Sequence, residues 1–321
     1  MGEGRVVFTL PAAAVQPEAI AWDNSRGKFL VGTIESGALL AASPAGEAEE
    51  LLHSTDENGL LAITGIAVDE AHERLWVSTA GVPGFAQLIP TELGRGALME
   101  FKLATLELLH RYDVPVDGLA HVPGSIAVTP SGDVYLVDRA VPMVFRKPAQ
   151  GSKLEPYLAS KELTGFKDLA ISDAGNKLYL ADAALGIAVV DLEKQTTSML
   201  RGPETLNLGG ISGLMYSAGQ LLLLQNGIKP QRLLRLELDP SGMNVVATVP
   251  LAVALADFDA PSFGVIQGGA VYYFASSNLP GVKKEPVPVV VLKTPLELSE
   301  PIVPVEQRKF NADKLKKTPQ S

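Results

Sequence analysis

The sequence contains no cysteine and only four histidines among its 321 residues. Without cysteine the chain has no disulfide, no thiolate nucleophile and no thiolate ligand for zinc or an iron–sulfur cluster. The histidines do not follow metal-ligand spacing, and "HERLW" at His72 lacks the second histidine of H-E-x-x-H. Walker A, dinucleotide-binding and G-x-S-x-G patterns are also missing, which argues against NTPases, dehydrogenases and serine hydrolases.

Positive charge and long apolar runs are scarce as well. The chain has 27 Lys and Arg residues against 36 Asp and Glu residues, for a net charge of -9. Nucleic acids and anionic membranes are bound through a basic face, so this charge argues against both partners. No apolar run approaches the roughly 20 residues of a membrane-spanning helix, and the N-terminus does not have the pattern of a signal peptide. Two locations stay open: the cytoplasm, or export with the signal peptide removed.

A repeated unit is the main feature that the sequence does have. Each copy is an apolar strand, a polar turn carrying Gly, Asp or Asn, and a second strand rich in Leu, Val and aromatics. Five copies are clear, at residues 19–33, 65–79, 125–138, 168–182 and 213–226, and residues 262–276 form a looser sixth. Anchored on Ile20, Ile66, Ile126, Leu169, Leu214 and Phe263, they follow one another at intervals of 46, 60, 43, 45 and 49 residues.

Four of these five intervals match the ~40 to 50 residues of a propeller blade with four strands. The sequence therefore predicts an all-β fold, a six-bladed β-propeller with four-stranded antiparallel blades. The sixth unit is one strand short, and "RVVFTL", Arg5 to Leu10, has no partner of its own. Placed as the outer strand of the sixth blade, it closes the ring and removes both sheet edges. We expect a single propeller domain at residues 1–296 and a polar tail at 297–321, which is either a short surface helix or unstructured.

The residues at one mouth of the central funnel follow from this fold. Each inner strand begins at that mouth, so the residues two before each anchor should form a ring there: Glu18, Thr64, Gly124, Lys167, Ser212 and Pro261. A register shifted by one residue would place Ala19, Gly65, Ser125, Asp168 and Gly213 in the ring instead. Either register supplies one carboxylate.

Loops between second and third strands open on the same face. They add Glu35, Asp138, Arg139, Asp182, Asn226, Lys229 and Asn278 as candidate contacts. Asp138 and Asp182 end second strands, where an aspartate serves either as a turn cap or as a ligand contact. His121 lies just before the third inner strand and is a candidate general base. The long loop from Ala80 to Gly96 is either a lid or a passive insertion.

The segment "EAIAW", Glu18 to Trp22, resembles the E-G-P-x-W signature that opens the SMP-30/gluconolactonase family of six-bladed propellers. The segments "LLLLQNGIKPQRLLRLELDPSG" and "FDAPSFGVIQGGAVYYFASSN" resemble bacterial, often exported, members of that superfamily. The resemblance spans Pro17 to about Pro295, and it implies a periplasmic or secreted protein. It also implies a funnel site, because many members are metal-dependent lactone hydrolases.

In that family a glutamate of the first blade, asparagines of the third and fourth, and an aspartate of the fifth hold a divalent cation. Glu18 matches the glutamate, but Gly124, Lys167 and Ser212 stand at the other three positions. One carboxylate and a hydroxyl are too few for calcium or magnesium. We therefore expect the metal site to be lost and Lys167 to replace the ion, with its charged head against Glu18. The alternative is that Lys167 points into solvent.

The resulting functional hypothesis is an SMP-30-like propeller that binds a small polar molecule in its funnel. The candidate ligand contacts are Glu18, Thr64, Lys167, Ser212, Asp138, Asp182, Asn226 and Asn278. The alternative is a lactonase or esterase-type hydrolase, with Glu18, Lys167 and His121 as candidate catalytic groups. We predict no cofactor. If calcium or another divalent cation does bind, Glu18 is the one residue that matches a metal ligand of the family. A scaffold for an unknown protein partner is a third option.

Overall fold

A computed structural model of the protein describes residue 2 and residues 4–10, 16–276 and 288–298. It contains 24 strands in chain order: β1 (Arg5–Leu10), β2 (Pro17–Asp23), β3 (Lys28–Thr33), β4 (Leu39–Ala42), β5 (Ala48–Leu52), β6 (Ala62–Asp69), β7 (Arg74–Ala80), β8 (Gly96–Lys102), β9 (Leu108–Asp113), β10 (Pro123–Val128), β11 (Val134–Asp138), β12 (Met143–Lys147), β13 (Glu155–Ala159), β14 (Phe166–Ile171), β15 (Lys177–Asp182), β16 (Gly186–Asp191), β17 (Thr196–Met199), β18 (Ile211–Ser217), β19 (Gln220–Gln225), β20 (Arg232–Leu238), β21 (Val245–Val253), β22 (Ser262–Gln267), β23 (Ala270–Phe274) and β24 (Val289–Pro295). The described part of the chain holds no helix with the length and apolar character of a bilayer span.

These strands form six antiparallel sheets of four strands each, so the predicted six-bladed β-propeller is confirmed. Blades one to five are β2–β5, β6–β9, β10–β13, β14–β17 and β18–β21. The sixth has the order β1-β24-β23-β22, and β1 pairs with β24 from Arg5↔Lys293 to Leu10↔Val289. The N-terminal strand therefore closes the ring as its outer strand, as the sequence predicts.

The hydrophobic core is divided into six parts, one between each pair of neighbouring blades. Trp76 packs with Tyr112 and Phe145 between blades two and three. Trp22 packs on the core between blades six and one, with its ring 4.7 Å from that of Phe29. Both tryptophans are therefore packing residues. Each strand presents Leu, Val and aromatic side chains to both neighbours, which explains why second and third strands are apolar without alternation.

Every inner strand carries a β-bulge near its start. The register against the second strand slips by one residue at Glu18, Thr64, Lys167, Ser212 and Phe263, and in blade three Gly124 and Ser125 together face one residue. A bulge places two residues opposite one and re-aims their side chains. The two registers left open by the sequence are therefore both represented at the funnel.

The bulge in β22 changes how the sixth copy of the repeat aligns with the other five. Phe263 is the bulged residue of β22, so the position equivalent to Ile20 is Val265, and Phe263 rather than Pro261 occupies the ring at the mouth. The sequence does not reveal this extra residue, because the sixth copy follows the repeat pattern less closely than the others. Of the predicted tail, 299–321 lie outside the described residues, as does Asn278, so these predictions are untested.

Candidate functional site

Two connected cavities lie on the propeller axis. The deeper one, here called the axial cavity, has a volume of about 110 Å³ and is lined by residues of all six inner strands, among them Glu18, Gly65, Ser125, Asp168 and Gly264. The outer one, here called the mouth cavity, has a volume of about 240 Å³. Its lining is Glu18, Arg139, Lys167, Ile211, Ser212, Asn226, Ser262 and Phe263. Glu18 and Phe263 line both cavities and mark their boundary.

Arg139 is the central cation of this site. It follows β11, and its Nη1 donates to Glu18 Oε2 at 2.9 Å while Nη2 donates to Ser125 Oγ at 3.3 Å. The guanidinium also lies over the Phe263 ring, 4.8 Å from its centroid. Only 14% of the Arg139 side chain and 20% of the Glu18 side chain is exposed, so the ion pair is partly desolvated.

Gly124 makes this arrangement sterically possible. A Cβ atom at that position would lie 2.4 Å from Arg139 Nε and 3.0 Å from its Cδ and Cγ. Any side chain larger than hydrogen would therefore displace the arginine. The position of the Arg139 guanidinium therefore depends on glycine at position 124.

Lys167 does not form the predicted ion pair with Glu18. Among the described residues, the ion-pair partner of Glu18 is Arg139, and Lys167 is an exposed residue that lines the mouth cavity. The Arg139 guanidinium already occupies the Glu18 carboxylate, and Asp168, which follows the bulged Lys167 in β14, lines the axial cavity. Burial raises the pKa of Glu18, and the Lys167 charge, like that of Arg139, partly opposes this rise. The expected pairing of a cation with Glu18 exists, but the cation is Arg139.

The two carboxyl groups of the funnel are both costly to ionise. Burial raises the pKa of Glu18 above its ordinary value, although the contact with Arg139 and the charge of Lys167 work against this shift. Burial also raises the pKa of Asp168, against hydrogen bonds from Ser125 and the Leu214 amide. Asp168 is tied into the backbone, because Oδ1 accepts from Leu169 N at 2.8 Å and Oδ2 from Leu214 N at 2.7 Å. It links the inner strands of blades four and five.

Two predicted aspartates are turn caps and line neither cavity. Asp138 is fully buried and accepts hydrogen bonds from the amides of Val122 and Ala140. Asp182 does the same for Thr164, Gly165, Ala184 and Leu185. Burial alone would raise the pKa of Asp182, but these hydrogen bonds lower it. The capping alternative is therefore correct for both, because a strand end leaves backbone amides that need acceptors.

His121 and Thr64 are also placed away from the cavities. His121 is 3% exposed and lies between two carboxylates, with Nδ1 2.6 Å from Asp138 and Nε2 2.9 Å from Asp117. Burial alone would lower the pKa of His121, but these two carboxylates raise it. Both ring nitrogens are occupied, so His121 is not placed as a general base. Thr64 Oγ1 donates to the Pro123 carbonyl at 2.5 Å and is buried between blades two and three.

Ser212 and Asn226 do line the mouth cavity, as predicted. The Ser212 hydroxyl is within hydrogen-bond distance of the carbonyls of Pro261 and Leu224, at 2.8 and 3.2 Å. The long loop from Ala80 to Gly96 contributes no residue to either cavity, and Phe85 anchors it against Ile34 and Leu61. In this position the loop is a surface insertion beside the funnel.

The residues at the mouth do not fit the metal that the family resemblance implies. The Arg139 guanidinium lies against the carboxylate that would have to be the main ligand, and a side chain at position 124 would overlap it. Within the described residues, no three His, Asp or Glu side chains are grouped so that they could hold an ion. A guanidinium at 2.9 Å from a carboxylate already neutralises it, so a cation would compete with a built-in charge.

Solved structures share the fold at low sequence identity. A luciferin-regenerating enzyme superposes with a TM-score of 0.62 at 12% identity, over 92% of this chain and 95% of the other. The PQQ-bound form of an aldose sugar dehydrogenase from Streptomyces coelicolor gives 0.60 at 14%, over 92% and 98%. A catalytically inactive virginiamycin B lyase from Staphylococcus aureus with quinupristin gives 0.58 at 12%, over 93% and 90%. Neither a protein-family model nor a curated protein matches the sequence. At these identities the likeness shows the propeller fold alone.

Proposed function

We propose that the protein is an SMP-30/gluconolactonase-like propeller that binds a small polar molecule at the mouth of its funnel without a metal ion. The observation that carries this proposal is the Arg139–Glu18 ion pair, which lies at the boundary of two axial cavities and is framed by Gly124. A concave site with a few converging polar groups is the usual form of a small-molecule site. Fixed charges of both signs would orient a polar ligand there.

The mouth cavity is small for such a site. Its volume of about 240 Å³ is below the ~300 to 1,000 Å³ of pockets for drug-sized ligands, so the ligand class is metabolite-sized. From the resemblance to an often exported family we also propose that the protein acts in the periplasm or outside the cell, with the cytoplasm as the alternative. Both statements are proposals.

Thermal melting with defined additives tests the proposal against the hydrolase alternative. We expect glucose, gluconate or glucono-1,5-lactone, used as polar probes, to raise the melting temperature, and Ca²⁺ or Mn²⁺ to leave it unchanged, because a ligand stabilises only the state that binds it. Glu18→Gln, which keeps the shape of the side chain, is the matched variant. Stabilisation by Ca²⁺ that disappears in Glu18→Gln, together with metal-dependent lactone turnover, would establish the hydrolase instead.

A further inference from the structure

The charges of the mouth cavity do not balance, and the excess is positive. Arg139 is committed to Glu18, Ser125 and the Phe263 ring. Lys167 lines the same cavity, and in the described part of the chain its ammonium group has no ion-pair partner. Of the three charged side chains in the lining, the uncompensated one is therefore a cation.

Uncommitted hydrogen-bond donors accompany this cation. In the described residues, the Asn226 side-chain amide makes no hydrogen bond, and only its main-chain carbonyl is used, by Gln231. Lys167 offers three N–H groups and Asn226 two, and a carboxylate is a pure acceptor with room for about four such bonds. Ser262 is 5% exposed, and its hydroxyl has no partner within the described structure. The mouth cavity therefore presents N–H and O–H donors that no described group accepts from.

The apolar residues of the lining are Ile211 and Phe263. Ile211 is 3% exposed, and Phe263 has a φ of 39°, in the left-handed region that a phenylalanine rarely adopts. Such a conformation persists only where the surrounding structure fixes it. The bulge fixes the backbone at Phe263, and the Arg139 guanidinium lies over its ring. The same cavity therefore presents a ligand with the fixed Phe263 ring and with the Lys167 and Asn226 donors.

We infer that the mouth cavity selects small organic carboxylates, with the carboxylate between Lys167 and Asn226 and a short apolar body against Phe263 and Ile211. This inference rests on the proposed function and names its ligand class. Charge-assisted hydrogen bonds from an ammonium group are about twice as strong as neutral ones. The negative charge of the ligand therefore supplies most of the selectivity for carboxylates over neutral molecules. A phosphate shares the negative charge, but it lacks the apolar body that Phe263 and Ile211 accommodate.

The test compares benzoate with its neutral isostere benzamide and with inorganic phosphate, using calorimetry and saturation-transfer NMR. We expect benzoate to bind at least about tenfold more tightly than benzamide, and phosphate to bind more weakly than benzoate. Lys167→Gln should lower benzoate affinity by about tenfold, Lys167→Arg should retain it, and Asn226→Asp should abolish it through charge repulsion. Lys161→Gln removes a nearby exposed lysine outside the cavity and should change nothing.

The outcomes separate this inference from the proposed function. Equal binding of benzoate and benzamide, or benzoate binding that Lys167→Gln leaves unchanged, overturns the carboxylate selectivity while small-molecule binding stands. Tighter binding of phosphate than of benzoate overturns the role of Phe263 and Ile211. If neither the aromatic probes nor the sugar probes bind, both proposals fall. Unchanged melting temperatures of the Lys167 and Asn226 variants show that each comparison is made on folded protein.

Discussion

At the scale of single residues, Glu18 is the group on which the funnel depends. Its pKa is raised because burial outweighs the favourable contacts with Arg139 and Lys167. The ion pair therefore limits the cost of a buried carboxylate rather than adding net stability. A carboxyl in a cleft whose pKa is shifted by burial and by a specific charged partner is typical of functional sites.

The raised pKa gives a prediction with a definite sign. A carboxyl whose pKa is higher in the folded state stabilises the fold fully below its unfolded pKa, and this contribution is lost as the pH rises through the folded value. The ordinary value for Glu18 is 4.5, so the loss occurs above that pH. We expect the unfolding free energy of the wild type, relative to Glu18→Gln, to fall as the pH rises above about 4.5. Urea titrations at a series of pH values measure it.

The Arg139→Met background supplies the control for this titration. Without the guanidinium the Glu18 carboxylate loses its compensating charge, so the same fall in relative stability should move to higher pH. A difference between wild type and Glu18→Gln that does not vary with pH, or that grows as the pH rises, would contradict the assignment.

Gly124 gives a second prediction at this scale. Gly124→Ala places a Cβ atom 2.4 Å from Arg139 Nε, and we expect it to destabilise the protein by about 1–3 kcal/mol. In the Arg139→Ala background the space is free, so Gly124→Ala should there cost less than about 0.5 kcal/mol. Chemical denaturation of the four proteins of this double-mutant cycle measures the coupling. Additive effects would mean that the glycine serves another purpose.

At the scale of the strands, Asp168 connects two blades through backbone hydrogen bonds. Each of its oxygens accepts one amide, from Leu169 in β14 and from Leu214 in β18. Asp168→Asn keeps the shape but replaces one acceptor by a donor, which leaves a buried amide without a partner. We expect a loss of about 1–3 kcal/mol in unfolding free energy. Asp173→Asn is the matched control, because Asp173 accepts from Ala218 at an exposed position between the same blades, and it should cost less than about 0.5 kcal/mol.

The strands also show how far the sequence determines the site. The repeat predicts the order of the strands and the closing role of β1, because both follow from hydrophobic spacing and chain connectivity. It does not reveal the bulges, since an unpaired residue changes no hydrophobic pattern. For that reason two registers stayed open, and Lys167 rather than Arg139 was assigned to Glu18. Arg139 lies among the predicted loop residues, and the signal for its role was Gly124, a missing side chain that leaves space for a long one.

At the scale of the whole molecule, stability depends on closing the ring. The core is distributed over six interfaces, so each blade depends on both neighbours, as in other repeat proteins. The interface between blades six and one contains Phe8 and Leu10 of β1 together with Phe29 and Phe274. The first and last described strands, β1 and β24, therefore meet in one sheet, and the last interface forms only when β1 is in place.

Phe8 provides the test of ring closure. Its ring is 4% exposed and lies 5.5 Å from that of Phe29, so Phe8→Ala should lower the unfolding free energy by about 3–5 kcal/mol. Val6→Ala alters the opposite face of the same strand, where Val6 is 49% exposed, and should cost less than about 0.5 kcal/mol. Urea denaturation of both variants measures the difference, and hydrogen exchange of the β24 amides reports pairing directly. A cost for Phe8→Ala as small as that for Val6→Ala, with β24 still protected, would mean that β1 only covers an already stable ring.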